Sequence, residues 1–305
     1  MRDPLTSFEQ QLILTPFPAG SSATASMSFP GHNKRYPLRV TVTEPNGKQS
    51  SVVLRQDDKP GGSEIESQLL PVLERLGLPV CHVLAGPTVD PDRPDSPAKI
   101  VFTLLNGTDL LRTCWDQTVN GLEVVVERTL EAIARVQAIT PAIEAEPVAK
   151  IIPRHTLADE VKTIRDKGGP WMLDPLFRQA LEKVAPIADD IHTPLVFSTG
   201  DYNPGNFLTD GEKVTGYVDF AWACFEDPYV GIVRYWLNDW YPLNKVGIVE
   251  RFLYRHDISR TQFAPRLVVR ALAMLQTEFC AEPKHHSPSR DLAIEYLKHG
   301  LAALK

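Results

Sequence analysis

Three oxygen-bearing side chains in one short segment could bind a divalent cation and a phosphate group. Asp201, Asn206 and Asp219 lie in TGDYNPGNFLTDGEKVTGYVDFAWA, with Asn206 five residues after Asp201. Asp210 and Gly211 predict the turn of a β-hairpin that returns Asp219 towards Asn206. Carboxylate and amide oxygens suit Mg²⁺, and a second carboxylate can take the proton of an attacking hydroxyl. These residue types and spacings predict a phosphoryl-transfer site.

The same residue types also have a plainer explanation. Asp, Asn, Pro and Gly in GDYNPGN are those that any tight loop would use. A D-x-x-x-x-N match is weak when it stands alone, whereas the match followed by a hairpin and a second Asp is the layout of a kinase catalytic loop and metal-binding aspartate. The joint pattern therefore favours a site over a simple turn.

The first hundred residues, which precede this segment, predict a small antiparallel sheet. PLRVTVTEPNGKQSSVVLRQ alternates apolar residues on both sides of Asn46-Gly47, which indicates a β-hairpin. SEIESQLLPVLERLGLPV then shows apolar residues at helical spacing and ends at Gly77 and Pro79. KIVFTLLNG predicts a buried strand that leads into a turn.

The rest of the chain shows mainly helical periodicity. The strongest segments are LEVVVERTLEAIARVQAI, LFRQALEKVAPIADDI, FAPRLVVRALAMLQTEFC and SRDLAIEYLKHGLAALK. EAEPVAKIIPRH, with two prolines, predicts an irregular connection. We therefore expect an α+β protein with an antiparallel-sheet N-lobe at residues 1–105 and a larger helical C-lobe at residues 106–305.

Composition narrows the possible partners and the compartment. The 305 residues carry a formal net charge of -6, which argues against a nucleic-acid binder. No stretch approaches the roughly 20 apolar residues of a membrane span. The four cysteines are scattered without a C-x-x-C pair and predict reduced thiols. We expect a cytoplasmic protein, monomeric or homodimeric, with neither nucleic acid nor membrane as a partner.

The segment LVFSTGDYNPGNFLTDGEKVTGYVDFAWACFEDPYVG resembles the H-G-D-x-x-x-x-N…I-D-[WF] segment of the aminoglycoside phosphotransferase and choline kinase-like family. VVLRQ is similar to that family's third strand with its cationic residue, and SEIESQLLPVLERLGLPV to its N-lobe helix. FTLLNGTDL resembles the segment that links the lobes. The resemblance covers nearly the whole chain. It implies a two-lobed protein kinase-like fold, with ATP or GTP bound between the lobes.

The resemblance also implies roles for individual residues. Asp201 would be the catalytic base, and Asn206 and Asp219 would be Mg²⁺ ligands. Arg55 would contact the phosphates of the nucleotide, since its planar fork can grip two phosphate oxygens. Glu66 would fix the Arg55 side chain. The alternative for Arg55 is an ordinary solvated cation at a strand end.

Other expectations concern the nucleotide. AGSSATAS would be the loop covering the phosphates, with Gly20, Ser21 and Ser22 as its donors. Backbone groups from Thr103 to Leu105 would bind the nucleotide base. Glu66 has a rival explanation, because SEIE is a possible capping box in which this carboxylate only satisfies the helix N-terminus.

Three positions depart from the family pattern. Thr199 stands where the family usually has His, Gln137 also replaces a His, and Gly231 replaces an Asp. All the primary catalytic-loop and metal residues are present, which favours an active enzyme. The departures leave open a catalytically silent, nucleotide-binding pseudokinase of the same fold.

The expected activity is an ATP- and Mg²⁺-dependent transfer of the γ-phosphate to a hydroxyl of a small molecule. Aminoglycosides, choline, sugars, amino alcohols and macrolides are all possible acceptors. A group of aromatic and acidic residues could hold a cationic amine near the site. Its members are Trp222, Glu226, Asp227, Tyr235, Trp236, Asp239 and Trp240.

Overall fold

The structure is a computed structural model that describes residues 4–29, 35–57, 59–115, 119–277 and 287–304. The strands are β1 Ser22–Ser28, β2 Leu38–Thr43, β3 Gln49–Gln56, β4 Val83–Thr88, β5 Lys99–Thr103, β6 Thr108–Asp109, β7 Arg154–His155, β8 Val196–Ser198, β9 Phe207–Thr209, β10 Val214–Tyr217 and β11 Cys224–Glu226. The helices are α1 Ser7–Leu14, α2 Gly62–Arg75, α3 Leu110–Trp115, α4 Val119–Ala138, α5 Thr140–Glu144, α6 Leu157–Lys167, α7 Pro175–Asp189, α8 Arg234–Leu237, α9 Ile248–Arg255, α10 Arg260–Thr277 and α11 Pro288–Ala303.

The chain divides into two compact units. The first, called the sheet unit here, contains Met1–Gly107, Ala145–Ile151 and Leu208–Trp222. The second, the helical unit, contains Thr108–Glu144, Ile152–Phe207 and Ala223–Lys305. The protein is therefore α+β, with an antiparallel sheet in its N-terminal part and a mainly helical C-terminal part, as the sequence predicts.

The sheet unit is built on five strands in the order β1-β2-β3-β5-β4. Its neighbouring strands pair antiparallel throughout. Apolar side chains of β2, β3 and β5 alternate towards one face, where they form a core with α1. The opposite face carries Arg55, one residue along from the buried Leu54. Period-two alternation thus places Arg55 on the face of the strand opposite the hydrophobic core.

The helical unit is organised around α10, which packs against α6, α7 and α11. A small sheet in the order β7-β11-β8 lies in the same unit. Its central strand β11 pairs parallel to β7 and antiparallel to β8. Because the catalytic-loop segment follows β8 directly, this sheet fixes where that segment begins.

Most of the predicted elements are confirmed. The Asn46-Gly47 hairpin joins β2 and β3, and the turn at Asp210-Gly211 joins β9 and β10. The predicted helices correspond to α2, α4, α7, α10 and α11. The irregular connection contains a 3₁₀ turn at Pro147–Lys150 and the two-residue strand β7.

The prediction that the first hundred residues are mainly strands misses α1. This helix has a complete capping box, in which Thr6 accepts from the Glu9 N–H and Glu9 accepts from the Thr6 N–H. The T-x-x-E signal was available in the sequence, since it is a helix-start pattern. Of the four cysteines, Cys81, Cys114 and Cys224 are free thiols, and Cys280 lies outside the described residues. No helix in the described part of the chain is both long and apolar enough to cross a membrane.

Candidate active site

The sheet unit contains an ion-pair cluster centred on Arg55, here called the Arg55 cluster, with Glu66 and Asp219. Arg55 Nη1 donates to Glu66 Oε1 at 2.9 Å and to Asp219 Oδ1 at 3.1 Å. Arg55 Nη2 makes a second contact with Glu66 Oε2. The backbone N–H of Phe220 also donates to Glu66 Oε1, at 2.8 Å. One guanidinium therefore connects the β3 strand, the α2 helix and the segment after β10.

Local sequence explains why these side chains meet. Arg55 is the last but one residue of β3, and its guanidinium lies over the Phe102 ring, with 5.4 Å between them. Gly62 lies at the start of α2. A Cβ added at this position would lie only 2.9 Å from the Ala221 Cβ. The glycine therefore lets the helix approach the segment that carries Asp219. Arg55 is not a solvated cation, since its side chain is 15% exposed.

The capping-box explanation for Glu66 is excluded by the start of α2. The N-cap residue is Gly61, which has no side chain to accept a hydrogen bond. Ser63 is already inside the helix, so Glu66 is not three residues after the N-cap. Glu66 instead pairs with Arg55, as the alternative prediction requires.

The carboxyl group of Glu66 is strongly perturbed by its surroundings. Burial raises the pKa of Glu66 to about 7, while the positive charge of Arg55 acts in the opposite direction. The nearby negative charge of Asp219 adds to the rise in this pKa. The cluster thus places two acidic groups against one cation, and a further cation would relieve their repulsion.

Asp219 has an unusual backbone. Its φ is 64°, a left-handed conformation that non-glycine residues rarely adopt. Such a conformation costs about 1–3 kcal/mol and persists where the surrounding structure imposes it, often at functional sites. Its side chain is 34% exposed, so this carboxylate remains accessible to a ligand while it contacts Arg55.

The helical unit contains a second cluster, called the catalytic-loop cluster, formed by Asp201, Asn206 and Arg234. Asn206 Nδ2 donates to the Asp201 carbonyl oxygen at 3.2 Å and lies 3.4 Å from Asp201 Oδ2. Arg234 Nε lies 3.3 Å from Asp201 Oδ1. Sequence reasoning did not find Arg234, because no spacing rule connects it with Asp201.

The loop that carries Asp201 is held by short-range hydrogen bonds. Ser198 Oγ accepts from the Gly200 N–H at 3.0 Å, and Asn203 Oδ1 accepts from the Gly205 N–H at 2.9 Å. Gly200 has a φ of 73°, which a glycine adopts without steric cost. A 3₁₀ turn at Pro204–Asn206 then leads into β9. The turn residues thus shape the loop, while Asp201 and Asn206 are the side chains it presents.

Each of the three departures from the family pattern has a structural role of its own. Thr199 Oγ1 accepts from the Asp201 N–H at 3.2 Å, and Gln137 Nε2 donates to the Pro228 carbonyl at 2.8 Å. A Cβ at Gly231 would lie 2.4 Å from Cδ2 of Tyr202, so only glycine fits beside this ring. Thr199 and Gly231 therefore contact the loop that carries Asp201, whereas Gln137 supports the segment after β11.

The prediction of a loop that covers the phosphates needs correction. AGSSATAS is not a covering loop, because β1 starts at Ser22 and continues to Ser28. Ser22 pairs with Thr43 and hence with Gln49, at the opposite end of β3 from Arg55. Gln49 and Arg55 are six residues apart along β3, which corresponds to roughly 20 Å.

The residues Gly20, Ser21 and Ser22 therefore lie at the wrong end of the sheet to share a phosphate with Arg55. Ser21 Oγ donates instead to the Pro18 carbonyl at 2.7 Å. The error arose because a small, Ser-rich composition does not fix strand register.

The segment predicted to bind the nucleotide base begins at the end of β5. The Thr103 N–H donates to the His82 carbonyl at 3.0 Å, so this donor is already used. Leu105 lies between β5 and β6. A contact between Thr103 and the base would therefore use the Thr103 carbonyl oxygen, and base binding by Thr103 to Leu105 stays a prediction.

The proposed aromatic and acidic pocket for a cationic amine is largely core. Glu226 and Asp227 are 5% and 3% exposed, and Asp227 is bound by Arg266 at 2.8 Å. Tyr235 is fully buried, and Trp236 stacks on Tyr296. These residues cannot form a pocket wall that is open to a ligand, so this prediction is wrong for them.

Asn206 in the helical unit and Asp219 in the sheet unit each carry an oxygen of a type that suits Mg²⁺. Since Asn206 Nδ2 is hydrogen bonded to the Asp201 backbone, the amide oxygen is the end that can bind a cation. Asp219 adds an accessible carboxylate. Residues 4–29, 35–57, 59–115, 119–277 and 287–304 hold no group of three His, Cys, Asp or Glu side chains suited to a metal. A cation with only one or two protein ligands completes its shell with water and phosphate oxygens, as Mg²⁺ does.

A five-stranded antiparallel sheet with an Arg55–Glu66 pair, followed by a mainly helical part with an Asp–Asn loop, has the α+β architecture of the kinase-like fold. The sequence pattern of the phosphotransferase enzyme family matches residues 35–264, and the chain belongs to this family. No curated protein sequence matched the chain.

Several solved structures share the fold. The crystal structure of aminoglycoside phosphotransferase APH(4)-Ia has a TM-score of 0.66 at 16% identity, with 92% of this chain and 94% of that chain covered. The GDP and kanamycin complex of APH(2")-IIIa has a TM-score of 0.63 at 15% identity, covering 97% and 99%. A putative aminoglycoside phosphotransferase from Ralstonia eutropha has a TM-score of 0.59 at 13% identity, covering 96% and 97%. At these identities the similarity establishes the fold.

Proposed function

We propose that the protein transfers the γ-phosphate of ATP or GTP, with Mg²⁺, to a hydroxyl group of a small molecule. The observation that carries this proposal is the Arg55 cluster, in which Arg55 is held between Glu66 and the accessible carboxylate of Asp219. A cation fixed beside a strained, acidic residue suits a site for polyphosphate and metal. Asp201 and Asn206 supply the remaining groups of the reaction.

Each residue has a separate task in the mechanism. The Asp201 carboxylate orients the acceptor hydroxyl and takes its proton as the oxygen attacks the γ-phosphorus. The bond to the bridging oxygen breaks, and the nucleoside diphosphate leaves. Arg55 offsets negative charge on the phosphates, and Glu66 holds its guanidinium in place. Asn206 and Asp219 would hold Mg²⁺, which when bound offsets phosphate charge. Catalysis of this kind consists largely of positioning and electrostatics.

The comparisons support the classes of donor and acceptor. Structural neighbours were solved with ADP or AMP-PNP together with hygromycin B, and with GDP together with kanamycin. We therefore place aminoglycosides first among the acceptors, followed by amino alcohols and sugars. The presence of Asp201, Asn206 and Asp219 favours an active enzyme over a silent nucleotide binder.

The test is nucleoside diphosphate release from Mg·ATP and Mg·GTP with a panel of hydroxyl-bearing acceptors, led by kanamycin and hygromycin B. Asp201→Ala should lower turnover about 10²–10⁴-fold, the usual contribution of a general base, while nucleotide binding persists. Asp219→Ala should lose Mg²⁺-dependent nucleotide binding as well.

Asp166→Ala, on an exposed position of α6, is the matched control and should behave as wild type. Turnover at the wild-type rate in Asp201→Ala would contradict the assignment of the base. Binding of Mg·ATP by Asp219→Ala with unchanged affinity would contradict the assignment of the metal ligand.

A further inference from the structure

Arg234 is placed to control the side chain of the proposed base. Its Nε lies 3.3 Å from Asp201 Oδ1, and the two side chains are only 11% and 21% exposed. An ion pair that is largely removed from water is weakly screened by salt and solvent. Arg234 therefore lies on one side of the Asp201 carboxylate as an ion-pair partner, without a hydrogen bond between Nε and Oδ1, while Asn206 Nδ2 lies 3.4 Å from the other oxygen.

Arg234 makes further contacts through both its side chain and its backbone. Its guanidinium lies 5.8 Å from the centre of the Trp240 ring. The Arg234 carbonyl accepts from the N–H of Asn238 at 2.9 Å and from its side-chain amide at 3.1 Å. Arg234 thus begins α8 with both its backbone and its side chain fixed.

A buried carboxylate faces the turn that leads to Arg234. Glu226 is 5% exposed, and its Oε1 lies 3.2 Å from the position that a Cβ of Gly231 would occupy. Burial raises the pKa of Glu226, and attraction to Arg270, and less strongly to Arg234, opposes that rise. The missing side chain at position 231 therefore leaves room for Glu226 beside the turn that carries Arg234.

We propose that Arg234, whose guanidinium lies beside the Trp240 ring, is a positioning residue that holds the Asp201 carboxylate towards the acceptor hydroxyl. The inference rests on the proposed role of Asp201 as the base. Arg234 acts through Asp201 and does not itself bind the nucleotide. Arg234 thereby helps to fix the Asp201 side chain in a loop where Thr199 stands in place of the usual family residue.

The test compares three variants in nucleoside diphosphate release from Mg·ATP, with kanamycin, hygromycin B and water as acceptors. Arg234→Met keeps a long side chain and removes the charge, so kcat should fall about 10²-fold, as misplacement of a catalytic group does. KM for Mg·ATP should change less than twofold. Arg234→Lys restores the charge without the planar fork and should recover part of the loss in kcat.

Arg251→Met is the matched control, since it also removes an arginine that pairs with acidic residues, Glu123 and Glu127, in the same unit. It should retain the wild-type kcat. Equal losses in Arg234→Lys and Arg234→Met, or a wild-type kcat in Arg234→Met, would overturn the proposal. If Asp201→Asn keeps the wild-type kcat, the proposed base is wrong and this inference fails with it.

A crystal structure of Arg234→Met gives a readout that does not depend on turnover. The Asp201 carboxylate should leave its position beside Asn206 or lose its defined rotamer, while the Thr199 contact to the Asp201 N–H stays. An unchanged Asp201 side chain would overturn the proposal even if the enzyme were less active.

Discussion

At the residue scale, the spacing of residue types in the sequence identified candidate site residues that lie close together along the chain. It did not identify partners that are far away in sequence. Asp201 and Asn206 could be predicted because a five-residue spacing within one loop limits their separation. The family resemblance paired Arg55 on the strand with Glu66 on the helix that follows it, and the two side chains are in contact. Arg234 could not be predicted, since its contact with Asp201 depends on tertiary packing.

Glu66 gives a pH-dependent prediction. Its pKa is raised from 4.5 to about 7 on folding because it is buried. Between these values the folded protein binds more protons at this position than the unfolded chain, so stability must fall as pH rises. We expect the free energy of unfolding to fall from pH 5 to pH 7.5, and Glu66→Gln to reduce this slope.

The measurement is urea unfolding of both proteins at the two pH values. Glu64→Gln, at an exposed position on the same helix, is the control and should keep the wild-type slope. The same slope in Glu66→Gln as in wild type would show that Glu66 does not titrate in this range. Gln keeps one oxygen that can accept from the Phe220 N–H but loses one contact with Arg55, so the slope with pH, and not the absolute free energy of unfolding, reports the titration of Glu66.

At the element scale, turn residues and helical periodicity predicted which helices and hairpins form. They predicted the register of two strands only where a short turn joins them. The Asn46-Gly47 hairpin was recoverable because two residues fix the turn and hence the register of β2 with β3. The Ser-rich segment before Met27 has no such signal. Its register with β2 places Ser22 opposite Thr43 and Ser28 opposite Leu38, so it is Ser28 that lies level with the Arg55 end of β3.

The turn between β11 and α8 supplies a prediction at this scale. A Cβ at position 231 would lie 2.4 and 2.6 Å from two atoms of the Tyr202 ring, which is 1% exposed and cannot move into solvent. Overpacking of this kind costs about 1–3 kcal/mol. Gly231→Ala should therefore lower the free energy of unfolding by about this amount in urea.

A double-mutant cycle separates this overlap from a general effect of alanine at the turn. Tyr202→Ala removes the ring atoms, so adding Gly231→Ala in that background should cost much less. Equal costs in the two backgrounds would contradict the overlap and indicate backbone strain at position 231 instead.

At the scale of the whole molecule, the chain order does not follow the compact units. The sheet unit takes in Leu208–Trp222, so Asp219 belongs to the same unit as Arg55, whereas Asp201 and Asn206 belong to the helical unit. A linear reading places all three carboxylate and amide groups in one C-terminal lobe. The β9–β10 hairpin instead follows Asn206 directly in sequence and belongs to the unit that contains Arg55.

This arrangement predicts how nucleotide should stabilise the protein. A ligand that binds only the folded state adds about 2.7 kcal/mol at a hundred times its Kd, which raises Tm by several degrees. Mg·ATP should produce such a shift, and ATP with EDTA a smaller one, because Asp219 and Asn206 contribute to binding only through the metal. The measurement is a thermal unfolding series at increasing ligand concentration, with Mg²⁺ alone as the control.

The difference between the Mg·ATP and ATP-EDTA series should vanish in Asp219→Ala and persist in Asp201→Ala. Equal shifts with and without Mg²⁺ in the wild type would rule out a nucleotide site built on these two ligands, and would leave Arg55 as the main phosphate contact.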